Sequence, residues 1–489
     1  MRKGLSSNFS MNQKVAVSVV FVTAMFLTIM DATIVNVALP QLGRQFHVPP
    51  AHVDTVVVGF LVSLAIFIPA SGWLGDRFGT KRILLTALVI FTVASALCGL
   101  AQSINQLIVF RIVQGIGGGM LTPVGMAMLW RTFPPEERVA ASRILIIPTA
   151  LAPATGPVLG GLLVTDLSWR WAFYVNVPLG IAGFVFGLLF LQENRQEEAG
   201  RFDLPGFVLA GAGLATLMYA VADGPAKGWT SFGIDATGAI GLVLLVALVF
   251  VELRTKEPML DLRLLGNKLF RSSSTVTVLS MVAFLGTLFL AALFYQDGFG
   301  VSALQSGLST FPEAIGIMVG AQIAARIYPS IGPRRLMTGG LIGVAVSVGL
   351  MALVPFTASL WVMRGLMVML GLSQAHVFTP AQAAAFATIS PASTGRASGL
   401  YNAGRQLGGA IGVAVLSTVI SGVGVLHHTA SGTRPNAAAY HWAFVAAALV
   451  ALFAAVVAQQ VDDRAAAPTM RRRVPEPTPQ QEIVEPALS

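Results

Sequence analysis

GWLGDRFGTKR, residues 72–82, sets four charges and three glycines between two apolar runs, 53–72 and 83–103. Each run is about the twenty residues that a membrane-crossing helix needs. Asp76, Arg77, Lys81 and Arg82 then form a charge cluster at the membrane surface, while Gly72, Gly75 and Gly79 permit a tight turn and close helix approach. The loop has an echo: FGTKRILL (78–85) matches IGPRRLMT (331–338) at an offset of 253 residues, pairing Gly79 with Gly332, Lys81 with Arg334 and Arg82 with Arg335. The same offset pairs Arg111 with Arg364 and Gly118 with Gly371, and LTPVGMAM (121–128) resembles FTPAQAAA (378–385) at an offset of 257. The chain therefore reads as two six-span halves related by a pseudo-twofold.

Composition agrees. Apolar residues make up 55% of the 489 and charged residues 11%, where soluble proteins average about 25% charged. The runs predict an all-α polytopic membrane protein with fourteen spans, near 15–38, 53–72, 83–103, 106–128, 142–164, 171–191, 204–223, 234–253, 272–295, 304–325, 336–355, 360–381, 397–421 and 438–461. The expected organisation is a short segment 1–14, an N-terminal bundle 15–191, a linker region 192–271 holding two additional helices, a C-terminal bundle 272–461 and a disordered Pro- and charge-rich tail 462–489. The first run is longer than a signal-peptide core and lacks a small-x-small cleavage site, so it reads as an uncleaved span.

Of 31 lysines and arginines, 24 fall on the side of the N-terminus, four on the other, and Arg111, Arg364 and Arg405 inside spans. By the positive-inside rule both termini are cytoplasmic. The net charge of +9 is thus a topology signal, and nucleic acid is not expected as a partner. The single cysteine, Cys98, excludes a disulfide framework and a thiol metal site. HVPPAHVD (47–54) carries His47, His52 and Asp54, but proline breaks the spacing and no metal is expected.

The loop 72–82 closely resembles motif A of the major facilitator superfamily, which implies a latch between the halves formed by Gly72, Gly75, Asp76, Arg77, Gly79, Lys81 and Arg82 in the outward-facing state. LIVFRIVQGIG (107–117) resembles motif B, whose arginine, here Arg111, is implicated in proton coupling. The glycine run after it lies inside an apolar span and reads as helix packing rather than a nucleotide loop. PTALAPATGPVLGG (148–161) is similar to motif C, typical of exporters, with Pro153, Gly156, Pro157, Gly160 and Gly161 as its core; Ala152 and Arg143 stand where the fullest motif has glycines. MDATIVNVALP (30–40), SWRWAFYVNVP (168–178) and NAGRQLGGAIG (402–412) resemble the fourteen-span drug:proton antiporter family of EmrB/QacA type. The resemblance covers 15–461 and implies the major facilitator fold and proton-driven efflux.

Asp31 sits inside the first apolar run, where a carboxylate costs about 2.5–3.5 kcal/mol. It escapes by protonation or by pairing with a cation, the two states of a proton carrier. Asp31, Arg111 and Glu313, the last just after Pro312, are the proton-coupling candidates. Thr33, Asn36, Gln114, His376, Tyr401, Asn402, Arg405 and Gln406 are the candidates for lining the substrate cavity, although for His376 a hydrogen-bonded interior role competes. No cofactor is expected, the proton gradient being the driver. The expected partners are the lipid bilayer, protons and a small-molecule substrate, with a periplasmic adaptor as a further candidate, for a monomer in a bacterial inner membrane. Two alternatives stand beside drug efflux: export of a metabolite, siderophore, fatty acid or antibiotic, and, remotely, an integral-membrane enzyme. For the enzyme, six scattered histidines and one cysteine supply no catalytic constellation.

Overall fold

The computed structural model describes residues 11–47, 55–139, 141, 151–152, 155–156, 159–160, 162–164, 166–195, 201–228, 231–424, 426–429 and 432–470, except for a few side chains, Asn36 among them. The long helices are α1 Gln13–Phe46, α2 Thr55–Phe78, α3 Thr80–Leu100, α4 Ile104–Thr132, α5 Asn176–Phe190, α6 Leu204–Lys227, α7 Phe232–Arg254, α8 Lys268–Leu293, α9 Pro312–Ile331, α10 Pro333–Met351, α11 Leu360–Ala385, α12 Thr394–Val423 and α13 Ala437–Ala458. A hairpin of β1 Leu426–Thr429 and β2 Gly432–Pro435 precedes α13, with Leu426 opposite Pro435. Among the described residues, 12 segments are long and apolar enough to cross a membrane, and Leu204–Ala220 is a shorter apolar helix. The expected span 142–164 lies largely outside the described residues.

Capping moves several starts into polar sequence. Asn267 accepts from the backbone of Leu269 and Phe270, both at 3.1 Å, so α8 begins at Lys268 rather than at the first apolar residue. α12 also opens in polar sequence, at Thr394, three residues before the apolar run, although its N-cap Ser393 makes no side-chain capping bond.

The two halves repeat one packing plan. In the first, α4 packs on α1, α2 and α3, and α5 packs on α1 and α3; in the second, α11 packs on α8, α9 and α10, and α13 on α8 and α10. The paired prolines Pro123 and Pro380 lie inside α4 and α11. Glycine backbones make the close contacts: a side chain on Gly119 would lie 2.5 Å from the Leu64 carbonyl oxygen, and one on Gly117 2.7 Å from that of Ala87. The glycine run of α4 is therefore a packing face against α2 and α3.

The repeated loops share a further device. Gly79 and Gly332 turn the chain at φ 100° and 82° into α3 and α10. In the first half Glu193 then accepts from the backbone N–H of Lys81 at 3.0 Å and of Arg82 at 3.2 Å. In the second, Asp463 accepts from Arg334 N–H at 2.8 Å. A carboxylate on free helix N–H groups is favourable twice over, by hydrogen bond and by helix dipole. Gly79→Ala should therefore cost about 1–3 kcal/mol of stability, read as a lower thermal unfolding midpoint. Gly339→Ala, whose new methyl meets nothing within 4 Å, is the control. Equal midpoints would refute the turn argument.

The additional helices are a strap. α6 packs on both α2 and α12, one from each half. Phe207 meets Phe67 edge-on at 5.6 Å, and Ala70, Ala210, Leu248, Met259 and Leu260 form one apolar cluster with Leu74 and Leu400.

Candidate functional site

Asp31 lies midway along α1, at a point where α1 meets α4 and the start of α5, and it is fully buried. Its Oδ2 accepts from Arg111 Nη1 at 2.5 Å, and its Oδ1 accepts from Gln114 Nε2 at 2.9 Å and Asn176 Nδ2 at 2.8 Å. Every one of these groups donates, the geometry an anionic carboxylate requires. Arg111 and Gln114 are three apart on α4 and so share a face. Gln114 Oε1 accepts from Arg111 Nη1 at 2.8 Å, which fixes the orientation of its amide.

A second layer holds the first. Asn176 also donates to Ser95 Oγ at 3.1 Å, and Ser95 donates to the Phe173 carbonyl at 2.9 Å. Arg111 stacks over Phe60, with its guanidinium carbon 4.1 Å from the ring centroid, and donates through Nε to the Val56 carbonyl at 3.4 Å. Cys98 faces Gln114 Oε1 at 3.7 Å. Asp31, Arg111, Gln114, Asn176 and Ser95 are all shielded from solvent, so this is a dry ion pair inside one half. Arg111 Nη2 and Asn176 Oδ1 have no protein partner. The pair is thus fully desolvated and incompletely satisfied, which makes its free energy sensitive to the charge on Asp31.

Other cavity candidates divide. Gln114 belongs to this network. Thr33 turns back onto its own helix, donating to the Met30 carbonyl at 2.9 Å, and Gly156 packs against it. The Asn36 side chain lies outside the described residues, as do Pro153, Pro157 and Gly161; Gly156 and Gly160 are helical. His376 bonds the Leu372 carbonyl one turn back, at 2.7 Å, and is held within α11. Tyr401 shares a 3.0 Å hydrogen bond with Thr277, and Asn402 donates to Met126 Sδ across the halves at 3.3 Å. Arg405 and Gln406 are partly exposed on α12. Glu313 is buried in the first turn of α9, and its Oε1 has no partner. His47 ends α1, while His52 and Asp54 lie outside the described residues.

The loop 72–82 divides its duties. Asp76 Oδ1 accepts from Arg131 Nη2 at 2.5 Å, and Arg131 Nε donates to the Pro391 carbonyl of the other half at 3.2 Å. Gly72 lies against the backbone of Gly395, and Gly75 meets Val124 at ordinary contact distance. Arg138 adds a hydrogen bond to the Phe386 carbonyl, beneath the stacked pair Trp130–Phe386 at 5.5 Å. The halves are closed at this end. Lys81 and Arg82 do not cross between halves: Lys81 Nζ donates to the carbonyls of Leu188 and Leu191 at 2.9 and 2.5 Å, and Arg82 faces Glu193 at 3.6 Å. Arg77 is exposed. Of this loop, Gly72 and Asp76 therefore lie at the contact with the other half, against Gly395, while Gly75 and Gly79 pack within their own half and the two basic residues clamp the end of α5.

Residues 21–413 match the sequence model of the Major Facilitator Superfamily. A multidrug resistance protein B homolog of Mycobacterium tuberculosis is 34% identical over 407 residues, 82% of this chain and 75% of that protein. The putative multidrug resistance protein MdtD of Pectobacterium atrosepticum is 33% identical over 72% of this chain and 76% of its own. The crystal structure of the human organic anion transporter MFSD10 superposes with a TM-score of 0.65 at 18% identity, covering 91% of this chain and 99% of that one, a likeness of fold.

Proposed function

The chain belongs to the major facilitator superfamily and is a multi-pass membrane transporter rather than an enzyme, and from that premise we propose that it is a proton-coupled exporter of lipophilic drugs or related small molecules. The observation that carries this reading is the Asp31–Arg111 pair: a carboxylate and a cation sealed from water inside one half. Its companions are the exporter-type Pro/Gly stretch 148–161 and the multidrug resistance names of the relatives. Fourteen spans, both termini in the cytoplasm and residence in a bacterial inner membrane complete the proposal. No cofactor takes part, and the working unit is a monomer to which a periplasmic adaptor docks where the cell supplies one.

The mechanism follows from charge. With loop 72–82 closed, the halves face outward. A proton arriving from outside neutralises Asp31 and weakens its hold on Arg111, Gln114 and Asn176. The freed cation must find new partners, which repacks α1 against α4 and unlatches Asp76. The halves then open inward, cytoplasmic substrate enters, and Asp31 returns its proton to the cytoplasm. One charge crossing 100 mV supplies about 2.3 kcal/mol.

The test is proton release from inverted vesicles, acid inside, on adding cationic, neutral and anionic lipophilic compounds. At least one compound should discharge the gradient beyond vesicles lacking the protein. If none does while the protein is folded and inserted, antiport is refuted.

A further inference from the structure

On α12, the positions of the glycines show which neighbour each face meets. Side chains added at Gly408 and Gly412 would strike the backbone of α8, at the carbonyls of Val278 and Val282. Those at Gly395 and Gly399 would face α2, at Asp76 and at the carbonyls of Ile68 and Pro69. One sector lies between these two contacts. At about 100° per residue, Ser398, Asn402 and Arg405 fall within about 60° of arc in it. Gly409 continues the sector without a side chain. This is the wedge between α8 and the N-terminal half.

Each of the three polar residues in the wedge carries a buried atom with no protein partner: Ser398 Oγ, Asn402 Oδ1 and Arg405 Nε. Native proteins leave few such atoms; Ser398 and Asn402 are buried outright, whereas Arg405 is partly exposed and only its Nε is covered. Among the described residues the ion pairs use Lys14, Arg82, Arg111 and Arg131, so Arg405 has no carboxylate of its own. The acids inside the spans are engaged elsewhere or distant in the fold: Asp31 on Arg111, Asp76 on Arg131, Glu252 of α7 on the backbone N–H of Leu260, Asp235 exposed at the start of α7, and Glu313 where α9 packs on Gly371 of α11. The neighbours of the adjoining α12 positions are apolar or neutral: Val278 lies at Gly404 and Gly408, Leu285 at Gly409, and the Tyr401 hydroxyl is bonded to Thr277.

We propose that Ser398, Asn402 and Arg405 form the substrate's head-group subsite, and that it takes a lipophilic monoanion: the guanidinium pairs with the negative head while the apolar body lies along α8. The proposal deepens the exporter reading and rests on it. In the closed state α4 covers the lower part of the subsite, with Met126 seated on Asn402. Ser398 and Asn402 become available when α4 and α12 part, which is when a cytoplasmic substrate would enter. Arg405 is accessible in both states.

Tetraphenylborate and tetraphenylphosphonium have one shape and opposite charge, so their comparison isolates the sign of the site. Saturable binding of each is measured to the full-length protein in phosphatidylcholine nanodiscs, with empty nanodiscs subtracted; no anionic lipid then competes. Wild type should bind the borate at least tenfold more tightly than the phosphonium. Arg405→Gln should weaken borate binding about tenfold and leave the phosphonium within twofold; Arg405→Lys should keep most of the preference. A thermal melt confirms that both variants are folded. Tighter phosphonium binding, no saturable borate binding, or an unchanged borate constant in Arg405→Gln would each overturn the proposal. No proton gradient is present, so these outcomes are independent of whether the exporter reading survives its own test.

Discussion

Asp31→Asn is expected to abolish substrate-induced proton release completely, and to destabilise the protein. The two effects have different causes and a double-mutant cycle separates them. Asparagine keeps the shape of aspartate but leaves the Arg111 charge buried without a counter-charge. Arg111→Gln does the reverse. Removing one partner of a buried pair costs about 3–5 kcal/mol. Asp31→Asn/Arg111→Gln removes both charges, and the remaining amides can bond to Gln114 and Asn176, so its loss should be well below the sum of the singles. Proton release should nevertheless stay at zero in the double variant and persist in Asp31→Glu. Stability then follows charge balance, while coupling follows the carboxylate. Proton release by Asp31→Asn at the wild-type rate would move the coupling site, with Glu313 the next candidate.

What the sequence could disclose depended on whether a residue differs from its local background. Asp31 and Arg111 are charges in apolar runs, and burial leaves such residues few partners other than each other. The repeated loops carry one glycine and two basic residues at matching positions, and the structure turns the chain at Gly79 and Gly332 alike. Asn176 was invisible in this sense. It follows YV and precedes VP near a helix start, where asparagine is ordinary, yet it is 145 residues from the carboxylate to which it donates. Nothing periodic links the two. For Lys81 and Arg82 the difficulty is another: every surface charge looks alike in sequence, and the partner they meet in this structure, Glu193, is identified only by the path of α5 back to the same membrane face. Helix starts were displaced because hydropathy registers apolar residues, whereas Asn267 begins α8 through hydrogen bonds.

The latch yields the other large effect. A methyl on Gly72 would fall 2.5 Å from the carbonyl oxygen and 2.8 Å from the carbonyl carbon of Gly395. Both are backbone atoms, so no rotamer change relieves the overlap. Either α2 and α12 separate or the closed state is lost, and overpacking of this kind costs about 1–3 kcal/mol. That penalty falls only on the closed state, because the open state separates the two glycines. A bias of about 1.4 kcal/mol is tenfold in population, so Gly72→Ala should shift the protein strongly towards the state open at this end. Ser398→Cys reports it: position 398 is fully covered in the closed state, and Cys98, the chain's only cysteine, can be replaced by alanine. Maleimide should label Ser398→Cys at least tenfold faster with Gly72→Ala than without it. Asp76→Asn should act in the same direction, since it removes the negative charge that holds the Arg131 guanidinium in place while its Nε donates to the Pro391 carbonyl. Arg82→Gln should not, because Arg82 stays within its own half. Equal labelling of Gly72→Ala and wild type would show that the halves close without the Gly72–Gly395 contact. Faster labelling with Arg82→Gln would return that residue to the latch. Transport falls in either direction of bias, because the cycle needs both states, so labelling rather than activity decides which way the equilibrium moved.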